Sequence, residues 1–402
     1  MTGSEIEVRS FGWEPKGRLA ELAARPNPDE NLSMDAAKLV FAGMSANTLA
    51  TYAYQWWKFV RWCGETGRSH EPGMVTKETV IEWMNEMWRR RGRYGRPTAP
   101  ETVALSLKVI AVVHKRARRP ETGPGGQSLY GYVSPTTHPD VHLAMRGYRR
   151  QWTEAGHRPD TAYPLTPDEL ELMVETLDVR TPMGVCDATL LAIGYDLGGR
   201  RIELAKLNIG DVEVHVADPE AVTEDDFLVV NIPMSKTDVR GEGADIPLYA
   251  HPVEDAVTCP VRWAVRWLDL LAEQGVCAGP FFRVVRTGGK LRQDGGPKTG
   301  VITESRIDGE RVEVVVKRTS IIAGLTAGGG RRKHIVPHSL RAGSATTAAE
   351  YGADTAALNF HFRWSDRGTT ANRYVRAGRR RSLNPVRGIY SGRKRKRGDA
   401  QQ

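Results

Sequence analysis

Arg200, Lys236, His338, Arg341, Trp364 and Tyr374 occur in that order over about 175 residues, and together they carry the groups needed to move a phosphoryl group. Guanidinium groups grip phosphate oxygens by forked donation. A tyrosine hydroxyl held among them can attack phosphorus and form a covalent intermediate. His338 and Arg341 are three residues apart, which puts both on one face of a helix. The sequence sets no acidic pair, Gly-rich phosphate loop or metal-ligand cluster beside them. Metal-free phosphodiester transfer through a tyrosine suits this set. Taken singly, each residue has an ordinary structural reading. Arg200-Arg201-Ile202-Glu203-Leu204 reads as a surface ion pair on a helix, Lys236 as a charge on a sheet edge, and Tyr374 as a partly buried aromatic. Their order and setting together point to a site.

The elements that must position these groups are mostly helices. Leu49, Tyr52, Trp56, Phe59, Val60 and Cys63 fall on one helical stripe from Ser45 onward. A second helix is expected at 76–90, with Val80, Trp83, Met84 and Met87 inward. A third should start from a capping box at Thr98-Ala99-Pro100-Glu101 and end at His114–Arg119. A fourth spans 139–152. This first domain, 45–152, is expected to be all-helical. Residues 153–165 (TEAGHRPDTAYPL) have linker composition, and Thr166-Pro167-Asp168-Glu169 opens a second domain, 166–376. In it, helices are expected at 167–178, 186–196, 260–274, 314–324, 339–351 and 369–376. Strands at 227–234 and 244–249 should flank a hairpin carrying Lys236. Residues 1–44 read as a flexible extension with short helices at most, near 17–24 and 34–42, and 377–402 as a basic tail. The fold class is therefore mainly α with a small antiparallel β-sheet.

At 402 residues the chain can bury two or three cores. From Arg376 onward ten Arg/Lys stand against one Asp, which accounts for the whole formal charge of +9. The remainder is neutral overall, so any basic face elsewhere must arise by local segregation. Arg89, Arg90, Arg91, Arg93, Lys115, Arg116, Arg118 and Arg119 are the candidates, since they crowd onto adjoining ends of the helical domain and suit a phosphate backbone. Cys63, Cys186, Cys259 and Cys277 are widely spaced and read as reduced thiols. There is no apolar run of membrane-spanning length and no signal-peptide pattern at the start, so a soluble, cytoplasmic protein is expected.

The stretches LGGRRIELAKLNIGDV, MSKTD, CPVRWAVRWL with GPFFR, HSLRAGSATTAAEYGAD and RWSDRGTTANRYVR resemble the tyrosine recombinases, or phage-type integrases, over roughly 45–376. The helical stretch SANTLATYAYQWWKFVRWC is similar to the start of that family's core-binding domain. The resemblance implies a helical core-DNA-binding domain and an α+β catalytic domain forming a clamp around DNA. It implies a Cre-like site-specific recombinase, independent of metal, ATP and other cofactors. Arg200 and Arg341 would grip the scissile phosphate, and His338 would help accept the tyrosine proton. Lys236 would protonate the leaving 5′-oxygen, Trp364 would pack the nucleophile helix, and Glu203 would orient Arg200 or Lys236. Tyr374 would form the 3′-phosphotyrosine. Partners implied are double-stranded DNA with a specific site, a tetramer on two such sites, and in some cases an accessory DNA-bending protein, with no membrane.

One departure bears on the site. The family's His/Trp position usually lies nine residues before the tyrosine, whereas Trp364 lies ten before Tyr374, leaving Ser365 at that spacing and His361 as an alternative. Tyr390 is a nearby rival nucleophile in a loop-like setting. In the tail, 382–389 could dock on a neighbouring protomer while 393–397 attracts DNA without sequence preference. A type IB topoisomerase-like strand transferase and a catalytically silent DNA-binding regulator are the alternative functions.

Overall fold

Ser45 begins the first helix by turning its hydroxyl onto the Thr48 N–H at 3.2 Å, and the apolar stripe that follows runs as α1 (Ala46–Glu65). Thr76 caps α2 (Lys77–Arg89) in the same way. In the computed structural model, residues 45–92, 95–122, 128–233, 243–252, 257–286, 288–292, 305–326, 334–366 and 368–378 are described. They divide into two compact units, Met1–Pro159 and Asp160–Gln402.

In the first unit, α1 and α2 meet α3 (Pro100–Arg116) and α4 (Pro139–Glu154) around an aromatic centre. The Trp62 and Trp83 rings lie 5.3 Å apart, Phe59 meets Trp83 edge-on at 5.9 Å, and the Trp83 indole N–H donates to Ser106 Oγ at 2.9 Å. Two expectations fail here. The capping box at Thr98 does not form: Ala99 is the N-cap and Pro100 starts the helix with its preset φ. Thr98 instead ties the helices together, its N–H donating to Met87 O and its carbonyl accepting from Tyr148 Oη. The unit is also not all-helical. Pro120 cannot continue a helix, and β1 (Arg118–Thr122) pairs antiparallel with β2 (Ser128–Tyr130).

The second unit opens at α5 (Pro167–Glu175) with a complete capping box between Thr166 and Glu169. Its centre is α6 (Pro182–Asp196), apolar on nearly every side, which is the pattern of a helix enclosed by others. Around it stand α8 (Pro260–Glu273), α9 (Gly309–Ile322) and α10 (His338–Glu350), while α7 (Arg201–Lys206), α11 (Thr355–His361) and α12 (Thr370–Gly378) are short. A three-stranded antiparallel sheet runs β3 (Val212–His215), β4 (Phe227–Ile232), β5 (Ala244–Tyr249). Val230 stands opposite both Val212 and Ile246, and the alternate residues Leu228, Val230 and Ile232 face the core. Strands near 227–234 and 244–249 were expected; β3 and α11 were not.

Backbone contact ties the 160–165 stretch to α10. Leu165 N–H donates to Ser339 O, Tyr195 Oη donates to Leu165 O, and a Cβ on Gly343 would stand 2.0 Å from that same carbonyl. Glycine at 343 is the residue that lets α10 approach so closely. None of the described helices is long and apolar enough to cross a membrane.

Candidate active site

The turn that delivers Arg200 is built for close approach. Gly198 has φ of 55°, and a Cβ there would lie 2.3 Å from the Phe362 ring. Arg200 follows as N-cap of α7. Its backbone N–H donates to Glu203 Oε2 at 3.0 Å and its guanidinium pairs with Glu203 Oε1. Burial works to raise the Glu203 pKa, but the Arg363 and Arg200 cations and the Arg200 N–H prevail and hold it below the ordinary carboxylate value.

On α10, His338 and Arg341 sit one turn apart as expected. Arg341 is almost wholly enclosed, at 1% exposure. Its Nη1 donates to Gly198 O at 2.5 Å and its Nη2 to Phe362 O, so it clamps the turn before Arg200 to the end of α11. Burial first, then the neighbouring Arg200 and Arg363 cations, lower its pKa to about 9. It still carries its charge at neutral pH. His338 keeps a solvent-exposed edge, yet partial burial, then Arg341 and Arg200, hold its imidazole below the usual value.

Tyr374 lies within α12. Its ring stacks on Trp364 with centroids 4.9 Å apart and planes 9° from parallel. The Arg341 guanidinium carbon lies 5.3 Å from the centre of that same Trp364 ring. Burial raises the Tyr374 pKa, while Arg341 and Arg373 pull it down. Past Trp364, Gly368 N–H donates to Ser365 O at 2.8 Å, and Ser365, the residue at the nine-residue spacing, is exposed. His361 is committed elsewhere, its Nε2–H donating to Asp196 O at 2.6 Å.

Arg200, Glu203, His338, Arg341, Trp364 and Tyr374 thus converge, although 174 residues separate the first from the last. Lys236 and the loop that carries it lie outside the described residues. So do Arg93, the 1–44 extension, Tyr390 and the tail from 379. Sequence reading missed Arg363. It is 8% exposed, its backbone is left-handed at φ 52°, and its Nη2 donates to Glu203 Oε2 at 3.1 Å. A non-glycine residue gives up about 1 kcal/mol in that conformation. The available signal was its place directly before Trp364.

The basic candidates of the first unit divide into two groups. Arg89, Arg91, Lys115 and Arg116 are exposed at the ends of α2 and α3. Arg90 pairs with Glu86 and Glu65, and Arg119 donates to Gly131 O at 2.6 Å beneath the Tyr132 ring, so both also serve local structure. Arg118 lies on β1. Among the described residues, no group of three or more His, Cys, Asp or Glu is placed to hold a metal ion.

No family model matches the chain. An integrase/recombinase xerD homolog of Selenomonas ruminantium is 25% identical over 369 residues, which is 92% of this chain and 92% of that protein. Among solved structures, the XerH site-specific recombinase bound to palindromic difH substrate in a post-cleavage complex aligns with TM-score 0.56 and 14% identity. The alignment covers 97% of this chain and 92% of XerH. The XerH pre-cleavage complex aligns with TM-score 0.50 and 14% identity over 89% of this chain and 85% of that one. In fold the chain is similar to these recombinases, and in sequence it is 25% identical to the recombinase relative along 92% of its length.

Proposed function

We propose that the chain is a site-specific DNA recombinase of integrase type, which cuts and rejoins double-stranded DNA through a 3′-phosphotyrosine without metal or ATP. The observation that carries this reading is the stack of Tyr374 on Trp364 with the Arg341 cation beside the same ring. A hydroxyl is thereby held next to a buried guanidinium cluster suited to a phosphate. Arg200 and Arg341 hold the non-bridging oxygens and offset charge as the pentacoordinate state forms. Tyr374 Oη attacks phosphorus and its proton passes to His338. The P–O5′ bond breaks, and Lys236 protonates the departing 5′-oxygen. The phosphotyrosine conserves the energy of the broken bond, so another strand's 5′-hydroxyl can reverse the step.

In this reading 45–152 and 166–376 close on DNA as a clamp joined through 153–165. Arg89, Arg91, Lys115 and Arg116 supply phosphate contacts. The active assembly is a tetramer on two sites, with an accessory bending protein where the site demands one, in the cytoplasm on the nucleoid. The recombinase relative, matched over 92% of both chains, favours this over a topoisomerase-like enzyme.

The test is covalent trapping. Nicked duplexes from the DNA flanking its own gene, incubated with the protein in EDTA, should give a protease-sensitive adduct on a denaturing gel. Bound DNA without adduct across those duplexes would count against the enzyme and for the silent regulator.

The pH dependence follows from His338. It must be neutral to accept a proton, and its surroundings lower its pKa. At subsaturating DNA, where the free enzyme's groups control the rate, adduct formation should stay level from pH 8 down past about 6.5 and fall only below that. His338→Gln should slow the reaction and remove that acid limb. A limb above pH 7 in the wild type would refute this role.

A further inference from the structure

Arg363 is an arginine where the backbone favours glycine. Its φ of 52° lies in the left-handed region that side chains other than glycine rarely enter. Nothing about the turn itself requires a long cationic side chain, so the guanidinium must account for it. That guanidinium is inside the protein, and its charge meets Glu203 Oε2 at 3.1 Å. It also donates to His361 O at 3.0 Å and to Leu197 O at 3.4 Å. Leu197 immediately precedes the Gly198 whose carbonyl accepts from Arg341.

The Glu203 carboxylate is therefore shared. Oε1 faces Arg200, while Oε2 accepts both the Arg200 N–H and the Arg363 guanidinium. Had Arg200 been its only cationic partner, Glu203 would neutralise the more exposed of the two guanidiniums, the one with a side chain 23% open to solvent. Arg363 sits on the closed side of the carboxylate, with its side chain 5% exposed.

We propose that Arg363 is a positioning residue: it draws charge from Glu203 on the interior side, so that Arg200 stays oriented by that carboxylate yet remains able to close on a phosphate. The cluster then holds three guanidiniums against one carboxylate, an excess of positive charge awaiting an anion. Arg363 acts through Glu203 and Arg200, and need not touch DNA. The idea rests on the phosphodiester-transfer reading above.

The variants that test it are Arg363→Gly, Arg363→Lys, Glu203→Gln and the double variant Arg363→Gly/Glu203→Gln. Each is measured in single-turnover cleavage of a nicked duplex at saturating enzyme, in DNA affinity and in thermal unfolding. Arg363→Gly suits the left-handed backbone, so a position needed only for that conformation would lose nothing by it, and the thermal unfolding reports what the lost Glu203, His361 and Leu197 bonds cost the fold. We expect Arg363→Gly to cleave at least about tenfold more slowly with unchanged DNA affinity, Arg363→Lys to recover much of the rate, and the double variant to be no slower than Glu203→Gln alone. Wild-type cleavage speed in Arg363→Gly, or losses that multiply in the double variant, would overturn the proposal. If the wild type itself cleaves nothing, the functional reading is what fails. The unfolding data then still decide whether Arg363 and Glu203 are coupled: additive shifts in Tm would sink the pairing, and non-additive ones would uphold it.

Discussion

Tyr374→Phe should bind DNA as tightly as the wild type and form no covalent adduct, a loss of at least about 10⁴-fold in cleavage. The substitution removes one oxygen and keeps the ring, so the stack on Trp364 at 4.9 Å persists and α12 keeps its seat. Because the lost group is the proposed attacking atom itself, no neighbour restores the rate. In the proposed reading binding is held by phosphate contacts elsewhere and should not change. Adduct yield on a denaturing gel, read beside a gel shift at fixed salt, separates the two effects. Tyr390→Phe is the companion variant and should cleave normally. An adduct that survives Tyr374→Phe and disappears in Tyr390→Phe would move the nucleophile to the tail.

The elements most legible in the sequence were those with strong local signals. The apolar stripe of α1, the Thr166 capping box and the alternation of β4 each depend on neighbours within a few residues, and each appears in the structure near its expected bounds. The helices expected at 186 and 314 begin earlier, at Pro182 and Gly309, because Thr181 and Asp308 supply side-chain caps that periodicity does not register. The β1–β2 hairpin was misread because a basic run at a helix end looks the same whether the chain continues as helix or turns into a strand. The site was legible as residue types in order, while its wiring was not. Arg341 spans Gly198 and Phe362, 143 and 21 residues away, and no local pattern announces such a bond. Arg363 was missed for the same reason: its partner Glu203 lies 160 residues earlier.

Arg341 is where site and fold cannot be separated, and Arg341→Met should therefore damage both. Methionine keeps much of the stem's volume but removes the charge and both donors. Two effects then oppose each other. Gly198 O and Phe362 O lose their buried donor, which costs about 1–3 kcal/mol for each group left unsatisfied. Against this, the repulsion that Arg200 and Arg363 exert on a buried cation disappears, and replacing buried charge by apolar bulk can itself stabilise. Because two carbonyls remain behind with no substitute, the first effect should win by about 2 kcal/mol, a fall in Tm of about 4–8 °C. Cleavage should drop by about 10³-fold or more, since the proposed mechanism then loses a preorganised cation that offsets developing charge. Arg341→Lys distinguishes charge from geometry. It retains a cation but cannot reach both carbonyls at once, so it should unfold nearly as early as Arg341→Met while keeping more cleavage. If Arg341→Met were more stable than the wild type yet inactive, repulsion would dominate the fold energetics and the residue would be held for chemistry at a cost to stability. If it were fully active, the guanidinium cluster would not be the phosphate site.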